Sequence, residues 1–469
     1  MRRYFLFISF LLIFLPSFSQ SVGEKLTKAI SELEKDSSLK HAIIGFCVAD
    51  AKTGKLLFDK NAGIGLAVAS TQKVLTNIAA YELLGKEYKF KTELRYSGLI
   101  KGNELNGNLF IIGYGDPTLG SKRFSQMNDD AFLKMISGKL RQLGVRRING
   151  DVIADNSRFS KESIPDGWVW EDIGNYYAAG LWAVNWKENS FDLLLKAGDN
   201  PGDSVEILNR SEITDMPLKN LLKAGQKGSG DNAFIHLPPD GTRGYVSGTI
   251  PAGEKKFVIS GAVPNGAQYL LKNLAAEFSS TGIEVKGKFR VEETLSSSSK
   301  TAADKSGYLF TVNSPSLDTI SYHFLHKSIN LYGEALVRTI AYEKTGIGTN
   351  EKGIELIKQF YSKNGIDGYS INIIDGSGLS PQNRVTPESL VKALQLARNK
   401  TWFGSFYAAL PEYNGLKMKS GSIGGARAFT GYSNATNGAE YTFAIIVNNY
   451  NGSSSAVVKK MYRLLDILK

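Results

Sequence analysis

A lone cysteine and four histidines are all this chain offers of the residues that build disulfide frameworks and zinc sites. Cys47 has no second cysteine to pair with and falls in an apolar, strand-like run, residues 41–48, where a small core residue is expected. His323 and His326 stand three apart in a helical pattern, but no acidic or cysteine partner is arranged beside them, so no metal site is expected. Dense basic clusters interleaved with aromatics are also missing. The net charge of +11 is spread thinly, which argues against nucleic acid and suits a protein that meets an anionic cell envelope. Long apolar runs are absent except at residues 4–16, and that run is shorter than the roughly 20 residues a membrane-spanning helix needs. Preceded by Met1-Arg2-Arg3 and followed by Ser17 and Ser19 before Gln20, it reads as a signal peptide over 1–19 and predicts export to the periplasm or cell envelope. No cysteine follows that cut, so a lipid anchor there is not expected.

What remains is globular. Apolar residues make up 42% and charged residues 22% of 469 positions, enough for two or three domains. Residues 41–62 read as a β-hairpin turning at Ala51-Lys52-Thr53-Gly54. A helix follows, with Val74, Leu75, Ile78, Ala79 and Leu83 on one stripe and Ser70 at its start. Residues from about 90 to 295 alternate short strand patterns with Gly, Asn and Asp, and carry an aromatic-rich segment with Trp168, Trp170, Tyr176, Tyr177, Trp182 and Trp186. The Ser-rich stretch 296–300 reads as a linker or exposed loop. From residue 316 a long helical pattern runs through Ser328 and Asn330 to Gly346, two more helices follow, and a β-hairpin and a last helix close the chain. Helix and strand signals at both ends, with an insertion between, predict a discontinuous first domain.

Three short elements carry the chemistry: Ser70-Thr71-Gln72-Lys73, Ser328-Ile329-Asn330 and Lys419-Ser420-Gly421. Each alone is cheap. The first spacing recurs at Ser37/Lys40, Ser297/Lys300 and Ser389/Lys392, the second at Ser362/Asn364 and Ser370/Asn372, and literal Lys-Thr-Gly occurs at 52–54 and 344–346. The first Lys-Thr-Gly is better explained by a tight turn and the second by the end of a helix. Order and flanking apolar patterns single out the remaining set.

A serine hydroxyl is a weak nucleophile and needs a base. Lys73, one helical turn from Ser70, can serve if burial or a nearby cation keeps its amine neutral. Lys419 would supply such a cation and attract a substrate carboxylate. Ser328 would relay a proton between Lys73 and the leaving amine, and Asn330 would hydrogen-bond a substrate amide. The backbone N–H groups of Ser70 and Ser422 are the expected oxyanion donors. Taken one by one, Ser70 is an ordinary N-cap, Ser328 and Asn330 polar-face residues, and Lys419 an edge-strand lysine; together they describe an acyl-transfer site.

Beyond those elements, residues 111–119 (IIGYGDPTL), 168–189 (WVWEDIGNYYAAGLWAVNWKEN) and 375–387 (DGSGLSPQNRVTP) make nearly the whole chain resemble the D-alanyl-D-alanine carboxypeptidases and endopeptidases of the class C low-molecular-mass penicillin-binding proteins. The gap of about 255 residues between Lys73 and Ser328 belongs to the same resemblance. It implies a mixed α/β fold. A penicillin-recognising, β-lactamase-like domain (20–88 and 295–469) would hold a five-stranded sheet between helices. It would be interrupted by two β-rich domains, one spanning 89–195 and 257–294, the other (196–256) nested inside it. It also implies Ser70 as the acyl acceptor, Lys73 as its base, and Ser420 and Ser422 as substrate contacts. Asp155 matches an acidic position that in relatives approaches the substrate side chain. The implied partners are peptidoglycan peptides with D-Ala-D-Ala termini or cross-links, with β-lactams as inhibitors and no metal or organic cofactor. The third element reads Lys-Ser-Gly-Ser where Lys-Thr-Gly-Thr is usual, which keeps both hydroxyls. A β-lactamase-like hydrolase and a non-catalytic wall-binding protein on the same fold are the alternatives.

Overall fold

The computed structural model describes residues 20–125, 128–209, 216–294 and 307–469. The expected signal peptide, the Ser297/Lys300 pair and the Ser-rich linker lie outside them.

The sheet that supports the site is built from both ends of the chain. Its order is 56–60, 43–50, 440–448, 426–434, 416–423 and 412–413, antiparallel throughout. Five strands were expected; the sixth is the two-residue strand Glu412–Tyr413, which exists only as the start of a hairpin onto Leu416–Ile423. The central strands are apolar on both faces, so successive residues enter different cores. Phe46, Val48, Phe443, Ile445 and Val447 pack with Leu26 and Ile30 of the first helix and Met461 and Leu464 of the last. Cys47, Ala49, Ala444 and Ile446 face Leu75, Ile78, Leu390 and Leu394 of the helices Lys73–Leu83 and Pro387–Arg398. Cys47 is a core residue as its sequence context predicts, and burial pushes its thiol up to about 12.

Between these halves lie the β-rich segments. A five-stranded sheet runs 289–292, 152–155, 109–113, 91–96, 307–313. Its last strand, Gly307–Asn313, falls in the part of the sequence expected to belong to the catalytic domain. It instead closes the edge of this sheet by pairing with Lys91–Tyr96, so the chain returns to the catalytic region only near residue 314. Strands Ser190–Ala197 and Phe257–Ala262 pair with each other and frame the small sheet of residues 218–251.

The long helical pattern after residue 316 is two helices, Leu317–His326 and Asn330–Thr345. The apolar period continues across the junction, which is why the sequence reads as one helix. Ser328 takes a left-handed backbone, φ 59°, and breaks it. Both stray Lys-Thr-Gly triplets are structural as expected. One forms the turn in which Asp50 Oδ1 accepts from the Lys52 and Thr53 amides, and the other ends a helix at Gly346, φ 81°. His323 and His326 pack edge-on and face-on against Phe124 and Tyr322.

Candidate active site

Ser70 sits on a 3-10 turn, Ala69–Gln72, that feeds directly into the helix Lys73–Leu83. Its hydroxyl caps no backbone amide, contrary to the N-cap role its position suggests. The preceding Ala69 is left-handed, φ 48°, a conformation that strains a residue with a Cβ by about 1–2 kcal/mol. Two glycines hold the turn there. A Cβ on Gly378 would lie 2.0 Å from the Ala69 carbonyl oxygen, and one on Gly421 would lie 2.4 Å from that of Val68 and 3.1 Å from the Ser70 nitrogen. Loop 375–380 and strand Leu416–Ile423 therefore press on the serine turn with no room for side chains.

Lys73 is completely buried. Its Nζ lies 2.8 Å from Ser70 Oγ, 2.6 Å from Asn330 Oδ1 and 2.6 Å from the Ser377 carbonyl oxygen. Asn330 opens its helix, and its Nδ2 donates to the Tyr177 carbonyl at 2.7 Å, which fixes the amide orientation. Burial, with the Lys419 charge second, drives the Lys73 amine well below its ordinary value. Lys419, on Leu416–Ile423, is also buried; its Nζ donates to the Ser420 carbonyl at 2.9 Å, and burial lowers it to about 7.

Ser328 stands at the helix break, two residues before Asn330. The Ser422 hydroxyl accepts from Arg427. Asp155 is not laid out toward a ligand. It is buried, accepts from the Ser157 amide at 2.9 Å, and pairs with Arg158 at 3.4 Å, so its carboxylate is absorbed by its own loop.

The structure adds residues to which sequence reasoning gave no role. Asp375, fully buried, accepts from Gln72 Nε2 at 3.1 Å, Trp168 Nε1 at 3.0 Å, the Gly378 and Ser380 amides at 2.7 Å each, and Asn383 Nδ2 at 2.9 Å. It ties the serine turn, the aromatic segment and loop 375–383 into one unit. The string 375–387 stood out in the sequence, but its role depends on partners up to 303 positions away. Glu188 does the same between the insertion and the helix of Asn330, accepting from Ser121 Oγ and the Tyr332 hydroxyl, both at 2.7 Å.

A hydroxyl facing a buried amine of lowered proton affinity, with a second amine beyond it and a strand amide row beside the serine turn, is suited to acyl transfer onto serine.

Comparison with known proteins agrees. The family model described as "D-Ala-D-Ala carboxypeptidase 3 (S13) family" matches residues 26–412, ending just short of Lys419. The chain is 26% identical to a D-alanyl-D-alanine carboxypeptidase of Actinomadura sp. (strain R39), over 95% of this chain and 85% of that protein. It is 25% identical to the D-alanyl-D-alanine carboxypeptidase DacB of Haemophilus influenzae, over 93% and 90%. The crystal structure of penicillin binding protein 4 (dacB) from Haemophilus influenzae superposes with a TM-score of 0.80 at 24% identity, covering 93% of this chain and 98% of that one, and so shares the fold. With the family model spanning most of its length and the fold shared across both ends and the insertion, the chain belongs to the D-Ala-D-Ala carboxypeptidase 3 (S13) family.

Proposed function

We propose that this serine-type D-Ala-D-Ala carboxypeptidase works through a Ser70 acyl-enzyme on peptidoglycan peptides, cleaving terminal D-alanine or a D-amino-acid cross-link. Ser70 Oγ attacks the carbonyl carbon while its proton passes to Lys73, and the carbonyl oxygen takes the negative charge between the amides of Ser70 and Ser422. Ser328 returns the proton to the leaving amine, and water then hydrolyses the ester. Asn330 holds a substrate amide. Lys419 in its charged form meets the terminal carboxylate, and Ser420 and Ser422 line the strand beside it. A β-lactam enters the same path and stays on the serine, because its leaving group remains tethered.

The observation that carries this reading is the buried Lys73 amine 2.8 Å from Ser70 Oγ. Export to the cell envelope belongs to the same proposal; among the described residues no helix is long and apolar enough to cross a membrane. The test is intact-mass spectrometry after incubation with penicillin, beside a Ser70→Ala control. An adduct in the parent and none in the control is expected. Unmodified parent with intact penicillin would point to a binding protein, and unmodified parent with hydrolysed penicillin to a β-lactamase.

A further inference from the structure

Asn330, Glu334 and Arg338 recur every fourth residue on one face of their helix, and all three are buried. Asn330 touches the base. Arg338 is spent on the carbonyls of Ser160 and Glu162. Glu334, between them, has no part in the mechanism above, yet a buried acid at 1% exposure needs a reason.

Its contacts supply one. Glu334 Oε2 accepts from the Gly376 amide at 2.9 Å. The next residue, Ser377, offers the carbonyl that receives Lys73 Nζ, and the Gly376 carbonyl receives Thr76 Oγ1 at 2.6 Å from the serine helix. A Cβ on Gly376 would lie 2.3 Å from the Gly333 carbonyl, so loop 375–377 lies directly on the helix of Glu334. The Ser377 hydroxyl is near enough to favour the charged carboxylate, and Oε1 has no other hydrogen-bond partner among the described residues. The charged groups around Glu334 are Asp375 on the loop, Lys73 on the serine helix with Lys419 beyond it, and Arg338 on its own helix.

We propose that Glu334 is a positioning residue for the Lys73 base: it fixes the carbonyl that aims Nζ at Ser70 and supplies buried negative charge when the lysine takes the serine's proton. The inference rests on the reading of Lys73 as base. When the Ser70 O–H bond breaks and the Oγ–carbon bond forms, the proton makes Lys73 an ammonium inside the protein. Such a charge is tolerated only beside an opposite one. Asp375 already shares its charge among several donors, whereas Glu334 has only the Gly376 amide and the Ser377 hydroxyl beside it. Burial and the Asp375 charge hold the Glu334 proton up to about 8, and burial holds Lys73 well below its ordinary value. The attraction between the two favours the state in which Glu334 gives up its proton as Lys73 gains one, so the carboxylate appears together with the ammonium at constant net charge.

The test is the pH dependence of the second-order acylation rate by penicillin for the parent, Glu334→Gln and Glu334→Asp, with thermal unfolding of each. A neighbouring carboxylate favours the ammonium, so removing it lets Lys73 stay neutral to lower pH. In E334Q the acid limb moves down by about one pH unit, and the plateau falls about tenfold because a weaker base takes the proton. E334D keeps the charge but withdraws it by one methylene; its limb falls between the two, and it serves as the test if E334Q does not fold. An unmoved limb in the folded variants overturns the proposal, whether the plateau falls or not. A parent that is not acylated at all would instead overturn the reading of Ser70 and Lys73.

Discussion

Gly421→Ala isolates the close approach between strand and serine turn. Its Cβ would stand 2.4 Å from the Val68 carbonyl oxygen, 3.0 Å from the Thr71 nitrogen and 3.1 Å from the Ser70 nitrogen. A carbon–oxygen contact normally settles near 3.3 Å or beyond, so strand and turn must part by about 0.9 Å along that direction. All three obstacles are backbone, and no side chain can swing away. The amides proposed to hold the oxyanion, on Ser70 and Ser422, lie on the two elements being separated. A misplacement near 1 Å costs about 100-fold in rate, similar to the loss of one oxyanion donor. Overpacking of this kind destabilises a protein by about 1–3 kcal/mol, which leaves it folded. Acylation by a fluorescent penicillin, followed under pseudo-first-order conditions, should therefore slow about 100-fold while the unfolding temperature falls by a few degrees. A folded G421A that acylates within threefold of the parent would refute the argument that this contact sets the oxyanion geometry.

Asn330→Ala removes an acceptor for Lys73 Nζ and the tie to the Tyr177 carbonyl. At about 1.5–3 kcal/mol for a charge-assisted bond, acylation should fall about 10- to 150-fold, read in the same assay. For a peptide ending in a free carboxylate, kcat/KM should rise with pH as Lys73 loses its proton and fall above about 7 as Lys419 loses its charge. Lys419→Arg, whose guanidinium stays charged, should remove that falling limb, and a limb that persists would assign it to another group. Trp168→Phe deletes one of the bonds to Asp375; urea unfolding should show a loss of about 1 kcal/mol with acylation nearly unchanged. Cys47, buried and with its thiol pushed up to about 12, should resist a thiol reagent in the native protein and react once it is unfolded.

Legibility in the sequence followed the range of the contacts. Ser70 and Lys73 are one helical turn apart, so their meeting can be read from spacing alone. The two faces of the central sheet show in the unbroken apolar runs of 43–49 and 443–447. The three elements put Asn330 in one site with Lys73, but nothing in the sequence showed that the two touch across 257 positions, or that Lys73 meets the Ser377 carbonyl 304 positions away. Backbone groups have no letter in a sequence, so the Ser377 and Tyr177 carbonyls were invisible. The break at Ser328 was hidden because its neighbours keep a helical apolar period, and only its positive φ reveals it. Asp155 ends the strand Val152–Asp155, and the orientation of its carboxylate is decided by Arg158 and the Ser157 amide, which a short motif does not reveal.

Two lysines buried within one site, neither in a salt bridge among the described residues, are costly to a fold and point to use rather than stability. The geometry around Lys73 says what the use is. A neutral amine has two N–H bonds and one lone pair; an ammonium has three N–H bonds. The Ser377 carbonyl accepts and cannot donate. Asn330 presents its carbonyl oxygen, because its Nδ2 is occupied by the Tyr177 carbonyl. These two acceptors take two N–H bonds in either protonation state. The third direction faces Ser70 Oγ, the only neighbour of the three that can either give or take a proton. In the neutral state the serine donates to the lone pair; in the charged state the lysine donates to the serine oxygen. Passing between those states moves one proton across a 2.8 Å contact and leaves the other two bonds in place. On the proposed mechanism the cluster is arranged for the single proton transfer that would turn Ser70 into a nucleophile, and any substitution that gives Lys73 Nζ another lone pair to accept from its third N–H should hold it in the charged, inactive form.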